Sequence, residues 1–98
     1  MNKRTDQQQP IARHALVQDL IEAYATDSET NPELYTGKSK VFKHFRTDER
    51  IGKANALDIA YHVARSHCLT TRGIKPDTQR DYTINQLADL ILSAQPRQ

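Results

Sequence analysis

Apolar residues recur after Pro10 at the spacing of one face of an α-helix. The set comprises Ile11, Leu16, Val17, Leu20, Ile21 and Tyr24. Pro10 suits the first helical position, because its missing N–H would have no partner there, and residues 26–32 are turn formers that end in a proline. The pattern predicts a helix over residues 10–25. Residues 1–9 are polar and hold nothing to bury, so we expect a flexible N-terminal tail.

The middle of the chain has a weaker apolar pattern. Short apolar groups between Pro32 and Gly52 are compatible with a short helix over residues 39–45. A longer helix is predicted over residues 48–72, and its apolar positions cover more than one stripe, as expected of the most buried helix. Gly73 is placed to take the left-handed conformation after the last turn, which predicts that this helix ends there.

The last predicted helix, over residues 84–94, has the clearest start. Thr83 and Gln86 have the spacing of a capping box, and Tyr82 and Leu87 on either side of the cap are placed for a hydrophobic staple. No run of strand length alternates with period two, and no internal repeat occurs. The sequence therefore predicts an all-α fold, a small bundle of three long helices and one short helix, as a single domain over residues 10–95.

The predicted core is small. We expect it to be built from Leu16, Leu20, Ile21, Leu57, Tyr61, Ala64, Ile84, Leu87 and Ile91. Leu, Ile, Val and Phe make up 20 of the 98 residues, which is a marginal core for a domain of this size. Leu90 and Leu92 lie outside the main stripe of the last helix, so we expect one of them to be exposed. These features predict a homodimer, formed through the last helix or the outer side of the first.

Composition excludes several classes of protein. No apolar stretch is long enough to span a membrane, and the polar start MNKRTDQQQP lacks the apolar run of a secretory signal. Cys68 is the only cysteine, so the chain can form neither an internal disulfide nor a multi-thiolate metal site. We therefore expect a cytoplasmic protein without a membrane partner.

The sequence offers no strong catalytic or metal-binding pattern. Asp58, His62 and Ser66 lie four residues apart on one helical face, but a hydroxyl in mid-helix has no oxyanion hole beside it. The four histidines lack the spacing that places two imidazoles on one metal, and the three glycines lie too far apart for a phosphate loop. We interpret the Asp–His–Ser row as a solvated face, and we expect no enzymatic activity, no cofactor and no metal.

Charge is distributed unevenly, which the net charge of +2 conceals. Residues 38–53 hold six bases and two acids. The six bases are the candidate nucleic-acid-binding residues: Lys38, Lys40, Lys43, Arg46, Arg50 and Lys53. Phe42 and Phe45 lie among them and either stack on bases or pack inward. We expect Arg65 and Arg72 to extend the positive charge along the long helix.

Two hypotheses for function follow from these patterns. In the first, the chain is a small non-catalytic accessory or regulatory protein that associates with DNA or RNA through its basic central segment. A helix-turn-helix is disfavoured, because residues 73–82 form too long a link and residues 84–94 contain no Lys or Arg. In the second, it is a helical protein-protein interaction module, an adaptor or inhibitor that binds another protein.

Overall fold

A computed structural model describes the backbone of residues 2–42, 49–77 and 79–96, and the side chains of residues 13–42, 54–77 and 79–96. Three α-helices account for most of these residues: α1 (Asn2–Asp27), α2 (Glu49–Ser66) and α3 (Ile84–Ser93). A short 3-10 helix covers Pro32–Leu34. The described residues form no β-strand, which confirms the prediction of a small all-α fold.

Helix α1 begins earlier and ends later than predicted. It starts at Asn2 rather than Pro10, since the Gln, Lys and Arg residues of this segment have high helix propensity and a helix needs no buried face to form. At its other end, Glu29 takes a left-handed backbone conformation, with φ of 54°. The Thr30 N–H then donates to the Ala25 carbonyl at 2.8 Å, which closes a Schellman motif. The flexibility of residues 1–9 stays a prediction.

Helix α2 ends at Ser66, not at residue 72 as the position of Gly73 had predicted. Cys68 takes the left-handed conformation, with φ of 60°, and the Leu69 N–H donates to the Ala64 carbonyl at 3.0 Å. This Schellman motif turns the chain so that Leu69 packs against the core. Gly73 also has a positive φ, of 77°, but it lies in a separate turn beyond the helix. Residue 48, the predicted start of this helix, lies outside the described residues.

The segment after α2 leaves the helix to contact the end of α3. The side-chain amide of Gln95 accepts from the Thr70 N–H and donates to the Thr70 carbonyl, each at 3.0 Å. Both backbone groups of Thr70 are thereby satisfied outside a helix. These bonds are the physical reason for the early end of α2. The sequence of residues 66–72 does not predict them, because their partner is Gln95.

Helix α3 begins as predicted. Thr83 is its N-cap, and both bonds of the capping box are present: the Gln86 N–H donates to Thr83 Oγ1 at 3.1 Å, and the Thr83 N–H donates to Gln86 Oε1 at 2.9 Å. Tyr82 and Leu87 are both buried in the core cluster, as the staple requires.

The predicted helix over residues 39–45 is wrong for residues 39–41, which are not helical. Lys40 instead pairs with Thr83 in an isolated antiparallel bridge, and the Val41 N–H donates to the Tyr82 carbonyl at 2.8 Å. Hydrogen bonds to a segment forty residues away thus replace those within a helix. Residue 42 takes a 3-10 conformation, and residues 43–45 lie outside the described residues.

The core lies between the three helices. Eight of the nine predicted core residues are buried, and Tyr61 is half-buried. Prediction missed Tyr24, which is 1% exposed and donates its hydroxyl to the Ala56 carbonyl of α2 at 2.7 Å. It also missed Val41, whereas the burial of Phe42 and Tyr82 agrees with the inward-packing alternative and with the predicted staple.

Leu90 and Leu92 were expected to leave one exposed apolar side chain, and this expectation is wrong. Both are half-buried and pack against the core, because the segments that flank α3 widen its buried face. Among the described residues the exposed large apolar side chain is Leu34, at 72% exposure. None of the described helices is both long and apolar enough to cross a membrane.

Candidate nucleic-acid interface

Two of the six candidate basic residues have described side chains. Lys38 and Lys40 are both exposed, on the segment between the 3-10 helix and Phe42. The side chains of Lys43, Arg46, Arg50 and Lys53 lie outside the described residues.

That backbone is anchored to the first turn of α3. The Asn85 N–H donates to the Gly37 carbonyl at 2.8 Å, and the Ile84 N–H donates to the Ser39 carbonyl at 3.0 Å. The first amides of a helix have no partner within the helix, and here the carbonyls of residues 37 and 39 satisfy them. The N-terminus of α3 is thus closed to a phosphate group, which would need the same amides.

Gly37 packs closely against the side chain of Asn85 on α3. A Cβ atom built on Gly37 would lie 2.2 Å from Oδ1 of Asn85. Any larger residue must therefore displace the Asn85 side chain, whose atoms are the three nearest to that Cβ.

The far end of the same segment is held by Asp81 and Tyr82. The Phe42 N–H donates to Asp81 Oδ1 at 2.8 Å, and the Phe42 ring meets the Tyr82 ring edge to face, with centroids 6.0 Å apart. Phe42 is 7% exposed. Of the two alternatives for this ring, packing inward is confirmed, and Phe42 does not present a face for stacking on a nucleic-acid base. Phe45 lies outside the described residues.

A further cation lies beside this segment. Nζ of Lys40 donates to the Asp81 carbonyl at 3.3 Å, and the guanidinium of Arg80 lies over the Tyr82 ring, 4.8 Å from its centroid. Arg80 directly precedes Asp81, the residue whose carbonyl accepts from Lys40. Arg80 could not be predicted as a neighbour of the basic segment, because about forty residues separate the two in the sequence. Only the bridge between Lys40 and Thr83 brings Arg80 close to that segment.

Arg65 and Arg72 do not extend this surface. Arg65 lies in the last turn of α2 and Arg72 in the turn beyond it, so they share no helix. That region is bonded to the C-terminal end of α3 through Gln95, whereas Lys38 and Lys40 lie at its N-terminal end. The ten residues of α3 separate the two regions by about 15 Å.

The row formed by Asp58, His62 and Ser66 is exposed on α2, as interpreted from sequence. The Ser66 hydroxyl donates to the Val63 carbonyl at 2.6 Å, within its own helix. His67 lies on a different face, where its Nε2 is 2.6 Å from Oδ2 of Asp19 and joins α2 to α1. Within the described ranges, no three His, Cys, Asp or Glu side chains are grouped to hold a metal ion.

The chain has no counterpart in three comparisons with known proteins: no protein-family model, curated protein or solved structure matches it. Function must therefore be inferred from the surface itself. The described part of that surface combines exposed lysines, a nearby arginine and a backbone held by four hydrogen bonds to residues 81–85.

Proposed function

We propose that the chain is a small non-catalytic accessory or regulatory protein that associates with DNA or RNA through its basic central segment, residues 38–53. The observation that carries this proposal is the exposure of Lys38 and Lys40 on an anchored backbone, at the start of a stretch with six bases. Clustered cations bind a polyanion because each phosphate contact releases condensed counterions.

The geometry favours contact with phosphates rather than reading of bases. Phe42 is buried, the first amides of α3 are already bonded, and α3 contains no Lys or Arg. Side chains that reach base edges are what give a nucleic-acid-binding protein its sequence specificity. We therefore expect binding that depends steeply on salt and only weakly on sequence.

The test is a fluorescence titration of a labelled short duplex and a labelled single strand at about 50 mM and about 200 mM salt. In the double variant Lys38→Gln/Lys40→Gln, we expect the log–log dependence of affinity on salt to become shallower by about two units, one for each lysine that no longer pairs with a phosphate. Affinity should fall for both nucleic acids, because binding through phosphates does not depend on sequence.

The matched control is Arg65→Gln/Arg72→Gln, which removes the same charge from exposed residues at the opposite end of α3. We expect this variant to retain the salt dependence of the original protein. An equal change in both variants would mean that net charge alone is responsible. No binding to either nucleic acid at the lower salt concentration would contradict the proposal and favour the protein-protein interaction module.

A homodimer and a cytoplasmic location belong to the same proposal. The single cysteine, exposed and without a disulfide partner, supports a reducing compartment. Burial of Leu34 against a second copy would remove the largest exposed apolar side chain among the described residues from water. Sedimentation velocity at micromolar concentration tests the dimer, and a single monomeric species would contradict it.

A further inference from the structure

An open groove of about 540 Å³ lies between α1 and α2, away from the basic segment. Its floor is apolar and is formed by Ala23 and Ile59. Its rim is polar and carries three carboxylates and an imidazole, from Glu22, Thr26, Asp27, Asp58 and His62. The groove therefore combines a small apolar surface with concentrated negative charge.

The two helices supply opposite sides of this groove. Glu22 and Asp27 mark its length along α1, which corresponds to about 8 Å of helix rise. Asp58 and His62 lie one turn apart on α2 and face them. A stretch of this length accommodates one large aliphatic side chain on the floor, with charged groups on either side of it.

The carboxylates of Glu22, Asp27 and Asp58 make no hydrogen bond or ion pair with any described side chain. Other exposed acids do: Asp19 of α1 contacts His67 at 2.6 Å, and Asp89 of α3 contacts Arg13 at 2.7 Å. The rim acids thus stand in solvent beside an apolar floor, and their charge is available to a cation from outside the described chain.

The shape of the groove selects the kind of ligand. Sites for small molecules enclose most of the ligand surface, whereas this groove is open along its length. An open apolar groove between two helices is suited to a third helix, which lays one side chain on the floor and its flanking residues on the rim. Phosphates are repelled by the rim, so the ligand differs from the proposed nucleic acid.

We propose that this groove binds an amphipathic helix of a partner protein that carries one aliphatic residue with Lys or Arg three and four residues to either side. The aliphatic side chain lies on Ala23 and Ile59, and the cations pair with Glu22, Asp27 and Asp58. Cations at this spacing share the helical face of the aliphatic residue, and complementary charge sets both orientation and rate of encounter. The inference uses other residues than the nucleic-acid interface and does not depend on it.

The probe is a fluorescein-labelled, Ala-based helical peptide with a central Leu and Lys three and four residues to either side. We expect saturable binding that weakens as salt is added, and chemical-shift changes in the amide spectrum that centre on Ala23 and Ile59. A second peptide with Ala in place of Leu should bind at least about fivefold more weakly, because it lacks the apolar contact. Equal binding of the two peptides would overturn the proposal.

Asp27→Lys and Asp58→Lys are the test variants, and Glu33→Lys is the matched control. All three replace an exposed acid with Lys, but Glu33 does not line this groove. We expect each groove variant to weaken peptide binding at least about tenfold, since a favourable charge contact becomes a repulsive one. Glu33→Lys should change it by less than about twofold.

Two outcomes would contradict the proposal. One is a similar loss of binding in the groove variants and in Glu33→Lys, which would indicate attraction to net charge. The other is a free protein that sediments as a dimer and dissociates as peptide is added, which would assign the groove to a second copy of this chain. Loss of binding in the groove variants alone, with an oligomeric state that does not change as peptide is added, supports the partner helix.

Discussion

Tyr24→Phe removes one buried hydroxyl and leaves the ring that fills the core in place. The Tyr24 hydroxyl donates to the Ala56 carbonyl at 2.7 Å, and the side chain is 1% exposed. A hydrogen bond of this kind contributes about 1 kcal/mol to the free energy of unfolding. Ala56 lies inside α2, so its carbonyl retains an acceptor role in the helix and is not left unsatisfied by the change. We therefore expect a loss of about 1 kcal/mol near pH 7.

The same burial makes this difference depend on pH. Burial raises the pKa of the Tyr24 phenol well above its ordinary value, because the ionised form is poorly solvated in the core. At a pH below about 10, the ordinary pKa of tyrosine, the phenol is protonated in both the folded and the unfolded state, so the free energy of unfolding does not vary with pH through this group. Above that pH, the unfolded state ionises while the folded state does not, so the native protein loses about 1.4 kcal/mol per pH unit through this group.

Tyr24→Phe has no phenol to ionise at this position and escapes that loss. Near pH 7 the unsubstituted protein should therefore have the larger free energy of unfolding. Near pH 11 the two free energies should be equal, and above that pH the variant should be the more stable protein. Urea unfolding of both proteins over this pH range measures the difference, in which the titrations of groups that do not interact with Tyr24 cancel. A difference that stays constant through pH 11 would refute the account of a buried, neutral phenol, and no difference near pH 7 would refute the contribution of the hydrogen bond.

Three further substitutions test the ends of helices and the contact at residue 37, each by urea unfolding. Thr83→Ala removes the capping box and should cost about 1 kcal/mol; an unchanged midpoint would contradict the role of the cap. Glu29 has a left-handed backbone conformation that glycine adopts without strain, so Glu29→Gly should raise the free energy of unfolding by up to about 1 kcal/mol. A lower free energy of unfolding in this variant would show that the Glu29 side chain contributes more than the strain costs. Gly37→Ala should destabilise by about 1 kcal/mol through its clash with Asn85, and the double variant Gly37→Ala/Asn85→Ala should regain most of that loss if the contact is the cause.

Periodicity and capping were sufficient to predict the three long helices, though not all of their ends, because both arise from residues three or four positions apart. The capping box of α3 and the buried stripe Ile84, Leu87 and Ile91 follow from such short-range patterns, and the structure confirms them. The same patterns failed where the partner lies far along the chain. Residues 39–41 are not helical because they bond to residues 82–84, and α2 ends early because Thr70 bonds to Gln95.

The basic segment and the groove show the same contrast between what the sequence predicts and what depends on tertiary contacts. The excess of bases in residues 38–53 can be counted in the sequence, but the inward packing of Phe42 and the approach of Arg80 depend on the bridge between Lys40 and Thr83. The groove could not be predicted, since its acids lie on two helices separated by more than thirty residues. A local pattern specifies which face of a helix is apolar. Which faces meet, and which charges then share a surface, follows from packing energies that are summed over contacts between distant parts of the chain.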